Sequence, residues 1–187
     1  GVKIPVFGLG VFKSAGDTKK AVEFAINSGY RHIDPAAIYE NEGQVAEGIK
    51  STGINRNELF ITTKLWNDDM RNGTQVQAIE RSLELLKTDY IDLYLIHWPV
   101  AGKFAESWAV MEEYHKKGVL RAIGVSNFTE QHIDELMLTA KITPAVNQVE
   151  CSPLLTQESM KEYCNKMGIA MEAWSPLAKG TALAIID

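Results

Sequence analysis

The sequence predicts an α/β fold in which parallel strands close into a (β/α)₈ barrel, the TIM-barrel class. Short runs with the composition of strands alternate along the chain with longer runs of helical periodicity. A helix between two successive strands returns the chain to the same edge of the sheet, so the strands are expected to be parallel. Polar residues cluster at the C-terminal ends of several strands, where barrels of this class place their active sites.

Seven segments have the composition and length of strands in a parallel sheet. The run from Ile91 to Ile96 is almost entirely apolar, as expected for a strand that is covered on both faces. The seven predicted strands are Gly8–Phe12, Arg31–Asp34, Leu59–Leu65, Ile91–His97, Ala122–Ser126, Ala145–Glu150 and Ala170–Trp174.

The segments between these strands have apolar residues at the three- and four-residue steps of a helix face. Asp17, Thr129 and Thr156 are predicted to cap the beginnings of helices, and Gly29 and Gly168 to end two of them. The predicted inward residues are Ala21, Val22, Ala25 and Ile26 in the first helix, then Val76, Ile79, Leu83 and Leu86, then Ile133, Leu136 and Met137, and finally Met160, Tyr163 and Met167.

A doubly wound open sheet is the competing parallel architecture. A dinucleotide-binding sheet of that kind usually has the pattern G-x-G-x-x-G at its first strand–helix turn. Here Gly8 and Gly10 are followed by Val11, Phe12 and Lys13, so the pattern is absent. The polar residues at several different strand ends therefore favour the barrel. No linker divides the chain, and we expect residues 1–187 to form a single barrel domain.

Composition narrows the classes of partner. A formal charge of −5 argues against a broad nucleic-acid surface. No apolar run reaches the roughly 18 residues that a membrane span needs, and no signal-peptide pattern opens the chain. Cys151 and Cys164 are too few for a disulfide framework, and with the four histidines they match no zinc pattern. We expect a cytoplasmic protein without a metal, and nothing in the sequence requires more than a monomer.

Four polar residues at neighbouring strand ends form the candidate catalytic set. Asp34, Lys64 and His97 end the second, third and fourth predicted strands, and Tyr39 lies in the loop after Asp34. Taken singly, Asp34 could be a turn residue, Lys64 a solvated strand end, His97 a core histidine and Tyr39 a packing residue. Independent packing roles would not favour one end of the barrel, so their joint placement favours a catalytic role.

These four side chains suit the reduction of a carbonyl group. The reaction needs a hydride donor and an acid that protonates the developing alkoxide. Tyr39 can be that acid, since a tyrosine with an ordinary pKa of about 10 carries its proton at neutral pH. A nearby Lys64 cation, oriented by Asp34, is expected to lower the pKa of Tyr39. A neutral His97 can donate a hydrogen bond to the carbonyl oxygen.

The sequence around these residues resembles the aldo-keto reductase family from about Val2 to about Lys179, and in particular its short-loop group, which includes diketogluconate reductases and protozoan prostaglandin F synthases. Several motifs in the family's order carry the resemblance. They are HIDPAAIYENE at 32–42, ITTKLW at 61–66, LYLIHWP at 93–99, RAIGVSNF at 121–128 and NQVE at 147–150.

The resemblance implies an NADPH-dependent reductase of small carbonyl compounds and assigns further residues. Ser126, Asn127 and Gln148, together with Asp34, would bind the nicotinamide end of the cofactor, and Trp174 would stack on the ring. Ser175 and Leu177 would lie along the pyrophosphate. The substrate pocket would be walled by Phe12, Trp66 and Trp98 beside His97, although the three bare aromatics could equally be core residues.

Two departures from the family pattern stand out. Pro35 replaces the usual threonine after Asp34, which removes a backbone donor and favours an extended Asp34; we expect this to be tolerated. After Gly180 the family continues through an eighth strand and basic residues that bind the 2′-phosphate of NADP. Only residues 181–187 remain here, so we expect a seam or truncation near 180. The preference for NADPH over NADH therefore rests on the resemblance.

Two other functions compete with the reductase. A barrel aldolase would use Lys64 to form a Schiff base with a carbonyl substrate, which leaves Tyr39 poorly explained. A non-catalytic binding or structural protein is the alternative from a different class, because some relatives serve as channel subunits or lens proteins. Retention of all four candidate catalytic residues argues against it.

Overall fold

The computed structural model describes residues 2–14 and 16–185 and contains one parallel sheet whose strands follow their order in the sequence. Every strand is hydrogen-bonded in parallel to the next strand along the chain. The strands are β1 (Leu9–Gly10), β2 (His32–Asp34), β3 (Phe60–Leu65), β4 (Leu93–Ile96), β5 (Ile123–Ser126), β6 (Val146–Glu150) and β7 (Ala170–Trp174). All seven predicted strands are confirmed, and β1 is shorter than expected.

The sheet curls into a nearly closed barrel. Gln148 of β6 donates a hydrogen bond to Asp34 of β2 at 2.9 Å, although three strands separate β2 from β6 in the sheet order. An open sheet would hold these strands far apart, because neighbouring strands are spaced about 4.8 Å from each other. The contact confirms the predicted barrel, while a single domain over residues 1–187 stays a prediction.

Helices connect the strands on the outside of the barrel. They are α1 (Thr18–Asn27), α2 (Glu42–Thr52), α3 (Asn67–Asn72), α4 (Gln75–Leu86), α5 (Phe104–Lys116), α6 (Glu130–Met137) and α7 (Glu158–Met167). One-turn 3₁₀ helices lie at Ala37–Tyr39 and Arg56–Glu58, and a kinked 3₁₀ segment covers Ala178–Ile185. In the described ranges no helix is both long and apolar enough to cross a membrane. Of the expected seam region near 180, residues 186 and 187 lie outside the described residues.

The predicted helix caps have mixed outcomes. The Thr129 hydroxyl accepts a hydrogen bond from the backbone N–H of His132 at 3.3 Å, so this cap is confirmed. Asp17 stands at the cap position of α1 without a capping hydrogen bond from its side chain. The cap at Thr156 is wrong. Gln157 precedes α7 in a left-handed conformation and its side chain donates to the carbonyl of Glu150, so the helix begins one residue later.

Two layers of apolar side chains form the core. The larger layer lies between the sheet and the helices, and the smaller one fills the barrel with Phe60, Leu93, Leu95 and Val146. Val22, Ala25 and Ile26 of α1 are buried as predicted, as are Ile79 and Leu86 of α4. Val76 is 46% exposed, against the prediction. The buried face of α4 begins at Gln75 and continues through Ala78, which turns Val76 toward solvent.

Candidate active site

The Lys64–Asp34 ion pair lies at the C-terminal mouth of the barrel. Both side chains belong to inward-facing positions at strand ends, and Lys64 is only 2% exposed. The Lys64 ammonium donates hydrogen bonds to Asp34 Oδ1 and, at 3.0 Å, to the carbonyl of Pro35. Burial of a lysine requires such partners, because an unpaired buried charge is strongly destabilising. The Pro35 carbonyl is thus a hydrogen-bond acceptor of the ammonium, and the tolerance of proline at this position stays a prediction.

Tyr39 lies across the mouth from this pair, at the end of a one-turn 3₁₀ helix. Its ring centroid is 5.7 Å from Lys64 Nζ and 5.8 Å from the centroid of the His97 ring. Burial raises the pKa of Tyr39 above its ordinary value; the Lys64 cation lowers it and the Asp34 carboxylate raises it further. The expected net lowering of this pKa is wrong, because desolvation of the phenolate outweighs the attraction of the cation. The phenol therefore keeps its proton at neutral pH.

The His97 imidazole closes a third side of the mouth. Burial, and after it the Lys64 cation, lower the pKa of His97 to about 3, so the ring is neutral at physiological pH. Its Nδ1 is buried and has no hydrogen-bond partner among the described residues, which leaves Nε2 as the ring nitrogen available to a ligand. The Trp66 ring stands nearly perpendicular to the imidazole, with centroids 5.2 Å apart.

Amide and hydroxyl groups form a hydrogen-bonded network at the part of the mouth that is formed by β5, β6 and β7. Asn127 has a left-handed backbone (φ 62°), and its amide donates to the carbonyl of His97 at 3.0 Å and to Ser126 Oγ at 3.1 Å. Ser126 Oγ donates to the carbonyl of Gln148 at 2.8 Å. The indole N–H of Trp174 donates to Asn127 Oδ1 at 2.9 Å. Residues from β5, β6 and β7 are thereby joined.

Gln148 connects this network to the ion pair. Its Nε2 donates to Asp34 Oδ2, while Asp34 Oδ1 accepts from Lys64. The structure thus brings most of the predicted polar residues into one contiguous set. Gln148, Asn127 and Ser126 carry the types of amide and hydroxyl group that a carboxamide requires, and Trp174 has an aromatic face beside them. In the structure these groups bond to one another and to Asp34, and Lys179 Nζ lies 5.9 Å from the centroid of the Trp174 ring.

The remaining predicted residues lie around or beyond this set. The Phe12 ring packs against Tyr39 with centroids 5.0 Å apart, and Trp66 contacts His97. Trp98 comes directly after His97 and is exposed. Ser175 and Leu177 lie past the end of β7, where Ser175 has a left-handed backbone (φ 52°) and the Leu177 side chain is exposed.

Glu172 is an ionisable group in the mouth that the sequence reasoning missed. It lies on β7 in register with Gln148, two residues before Trp174, and its Oε2 is buried without a hydrogen-bond partner in the described residues. Burial and the nearby Asp34 carboxylate raise the pKa of Glu172 to about 7. The alternation of a strand places residues two apart on the same face, so the inward position of Trp174 was a signal for Glu172.

Comparison with known proteins assigns the chain to a family. Residues 7–184 match the model of the Aldo/keto reductase family. The chain is 52% identical over 185 residues to the glyoxal reductase of Bacillus subtilis, an alignment of 98% of this chain and 67% of that protein. It is 47% identical over 187 residues to the 9,11-endoperoxide prostaglandin H2 reductase of Trypanosoma cruzi, covering 99% of this chain and 66% of that one.

A solved structure resembles the chain as well. The crystal structure of a Bombyx mori aldo-keto reductase in complex with NADP superposes with a TM-score of 0.86 at 41% sequence identity. The match covers 92% of this chain and 62% of the Bombyx mori chain. The chain spans about two thirds of the length of these three relatives.

Proposed function

The chain belongs to the aldo/keto reductase family of carbonyl oxidoreductases, and we propose that it reduces aldehydes or ketones to alcohols by hydride transfer from NADPH. One observation carries the proposal: a buried Lys64–Asp34 ion pair, the ring of Tyr39 and a neutral His97 face one another across a single barrel mouth. The NADP complex of the Bombyx mori relative supports the proposal that NADPH is the cofactor.

Tyr39 is proposed as the general acid. Its raised pKa keeps the phenol protonated, so that it can donate a proton to the carbonyl oxygen as negative charge develops there. The Lys64 ammonium then lies near the phenolate that remains and stabilises it. Asp34 holds that ammonium in place through its hydrogen bond.

His97 is proposed as the group that orients the substrate. A neutral imidazole with its proton on Nε2 can donate to the carbonyl oxygen, which polarises the carbonyl and aligns its carbon. Phe12, Trp66 and Trp98 would wall the pocket around the rest of the substrate with apolar surface.

The cofactor would be held mainly by residues at the ends of β5, β6 and β7. Ser126, Asn127, Gln148 and Asp34 would bind its nicotinamide end, with Trp174 against the ring and Ser175 and Leu177 along its pyrophosphate. When bound, NADPH supplies the hydride that reduces the carbonyl carbon. A monomer and a cytoplasmic location stay predictions.

The aldolase alternative is less well supported by the geometry. A Schiff base needs an uncharged lysine amine that is free to attack a carbonyl. Lys64 instead donates hydrogen bonds to Asp34 and Pro35, an arrangement suited to a charged ammonium. The alternative predicts covalent trapping by borohydride without any nicotinamide.

The proposal is tested by following reduced-nicotinamide absorbance with a panel of small aldehydes, using the protein produced from its complete gene. Glyoxal belongs in the panel because the Bacillus subtilis relative carries that activity in its name. We expect turnover with NADPH, at least a hundredfold loss of it in Tyr39→Phe, and unchanged quenching of tryptophan fluorescence by NADPH in that variant. Undiminished turnover in Tyr39→Phe would overturn the role given to Tyr39. No turnover with any aldehyde, together with borohydride trapping at Lys64, would replace the reductase by the aldolase.

A further inference from the structure

Asn41 and Glu42 come immediately after the turn that carries Tyr39, and neither has a part in the proposed chemistry. They are 3% and 2% exposed, which is unusual for an amide and a carboxylate at the beginning of a helix. Most buried polar side-chain atoms in proteins are hydrogen-bonded, so the hydrogen-bond partners of these two residues indicate which segments they join. Among the described residues Asn41 Oδ1 has no partner, and the contacts of Asn41 are made by its Nδ2 and its backbone carbonyl.

Glu42 ties the Tyr39 turn to the strand that carries Lys64. The hydroxyl of Thr63 donates a hydrogen bond of 2.6 Å to Glu42 Oε1. Thr63 is fully buried, lies on the outer face of β3 and is adjacent in sequence to Lys64, whose side chain points to the inside. A buried hydrogen bond to a carboxyl group is one of the stronger polar contacts in a protein.

Asn41 ties the same turn to the segment that follows β1 and to the first residue of α1. Its Nδ2 donates to the carbonyl of Val11 at 2.9 Å and to the hydroxyl of Thr18 at 3.3 Å. Val11 precedes Phe12, whose ring packs against the ring of Tyr39. The Asn41 backbone carbonyl also accepts the first hydrogen bond of α2, from the N–H of Val45.

Two backbone hydrogen bonds close the turn itself, from the Tyr39 N–H to the carbonyl of Ala36 and from the Glu40 N–H to the carbonyl of Ala37. Residues 37–39 form a single 3₁₀ turn, and Glu40 after it takes a left-handed conformation (φ 54°). A turn of this length has few internal hydrogen bonds, so the position of its last residue depends on how the next residues of the chain are anchored. Tyr39 is that last residue, and its ring packs against the rings of Phe12 and His97.

We propose that Asn41 and Glu42 are positioning residues that hold the Tyr39 turn between the segment after β1 and strand β3, and thereby set the position of the Tyr39 hydroxyl relative to the Lys64 ammonium. Their partners Val11, Thr18 and Thr63 complete what we call the Tyr39 clamp. The clamp rests on the proposed role of Tyr39 as general acid. Displacement of a reacting group by about 1 Å can reduce a rate about a hundredfold, so the clamp matters for rate rather than for cofactor binding.

Thr63→Val is the test variant, because valine has nearly the same shape and lacks the hydroxyl that donates to Glu42. We expect the single-turnover rate of aldehyde reduction to fall about 10- to 100-fold, with the Kd for NADPH unchanged. Thr63→Ser keeps the hydroxyl and should restore the rate to within about threefold of the wild type. Hydrogen exchange in a peptide covering residues 37–42 should become faster in Thr63→Val and stay slow in Thr63→Ser.

Two further variants separate positioning from loss of stability. Ile79→Val shortens a fully buried side chain of α4 outside the clamp and should leave the rate unchanged at a similar loss of stability. Asn41→Ala removes the hydrogen bond to the Val11 carbonyl and should also slow the reaction. It provides the test of the clamp if Thr63→Val does not fold.

Four outcomes would overturn the clamp: a wild-type rate in Thr63→Val, a wild-type rate in Asn41→Ala, an equal loss in Thr63→Ser, or an equal loss in Ile79→Val. Absence of turnover in the wild-type protein would instead contradict the proposed function, and the hydrogen-exchange comparison would still decide whether Thr63 holds the turn.

Discussion

Replacement of Glu172 by glutamine should stabilise the protein in a way that depends on pH. Burial and the Asp34 carboxylate raise the pKa of Glu172 from 4.5 to about 7, so the folded state binds a proton more tightly than the unfolded state. When the pKa of an acid is higher in the folded state than in the unfolded state, ionisation of the acid destabilises the folded state. This destabilisation is absent below the pKa of the unfolded state, grows as the pH rises from about 4.5 and is complete above about 7. Glutamine has nearly the same shape and no charge, so it escapes this loss.

The magnitude is set by the size of the shift. The difference between about 7 and 4.5 is about 2.5 pKa units, and at about 1.4 kcal/mol per unit the ionised carboxylate destabilises the folded state by about 3 kcal/mol. Glu172→Gln should therefore match the wild type near pH 4.5 and exceed it by about 3 kcal/mol near pH 8. With a urea m-value of about 2 kcal/mol/M, the unfolding midpoint should shift by about 1.5 M.

Urea unfolding followed by tryptophan fluorescence between pH 4.5 and 8 measures this difference. Glu162→Gln is the matched control, since Glu162 is exposed on α7 and its replacement should change stability by less than about 0.5 kcal/mol at every pH. A stability difference between Glu172→Gln and wild type that is the same at pH 4.5 and pH 8 would refute the reasoning. A difference that shrinks with rising pH would refute it as well, since the sign would be reversed.

Two further predictions concern charged groups in the barrel. Lys64→Met removes the ammonium beside Tyr39 and should lower the single-turnover rate of aldehyde reduction at least about a hundredfold in a stopped-flow assay; a rate within threefold of wild type would contradict the role of the cation. Asp92 accepts hydrogen bonds from Arg56 and Arg121, each at 2.7 Å, and from the backbone N–H of Ile61. Asp92→Asn should lower the free energy of unfolding by about 2 kcal/mol in urea denaturation, less than for a fully buried pair because both arginines are partly exposed. A change below about 0.5 kcal/mol would show that the pairs contribute little.

The strands and the polar mouth were predictable from sequence because both depend on local patterns. An apolar run such as Ile91–Ile96 identifies a buried strand, and the ends of parallel strands meet at one face of a barrel. Asp34, Lys64 and His97 could therefore be grouped before their distances were known. Thr129 was recognised as a cap for the same reason, since a cap is defined by neighbouring residues.

The features that escape sequence reasoning depend on contacts between distant segments. The direction of the Tyr39 pKa shift results from a balance of burial against one cation, and burial depends on packing by residues from other strands. Val76 was misplaced because the exact start of α4 decides which face is buried. The partners of Asn41 and Glu42 lie 30 and 21 residues away, at distances that no local pattern reports.

The hydrogen bond between Gln148 and Asp34 also bears on how the molecule folds. It joins residues 114 positions apart, and the strands between them, β3 to β5, pair with one another in sequence order. The entropic penalty of loop closure grows only slowly with loop length, but contacts of long range still form more slowly than local ones. The helices and neighbouring strand pairs depend on much shorter separations. The two sides of the mouth are therefore brought together near the end of folding, and recovery of helical signal should precede recovery of activity when the unfolded protein is returned to native conditions.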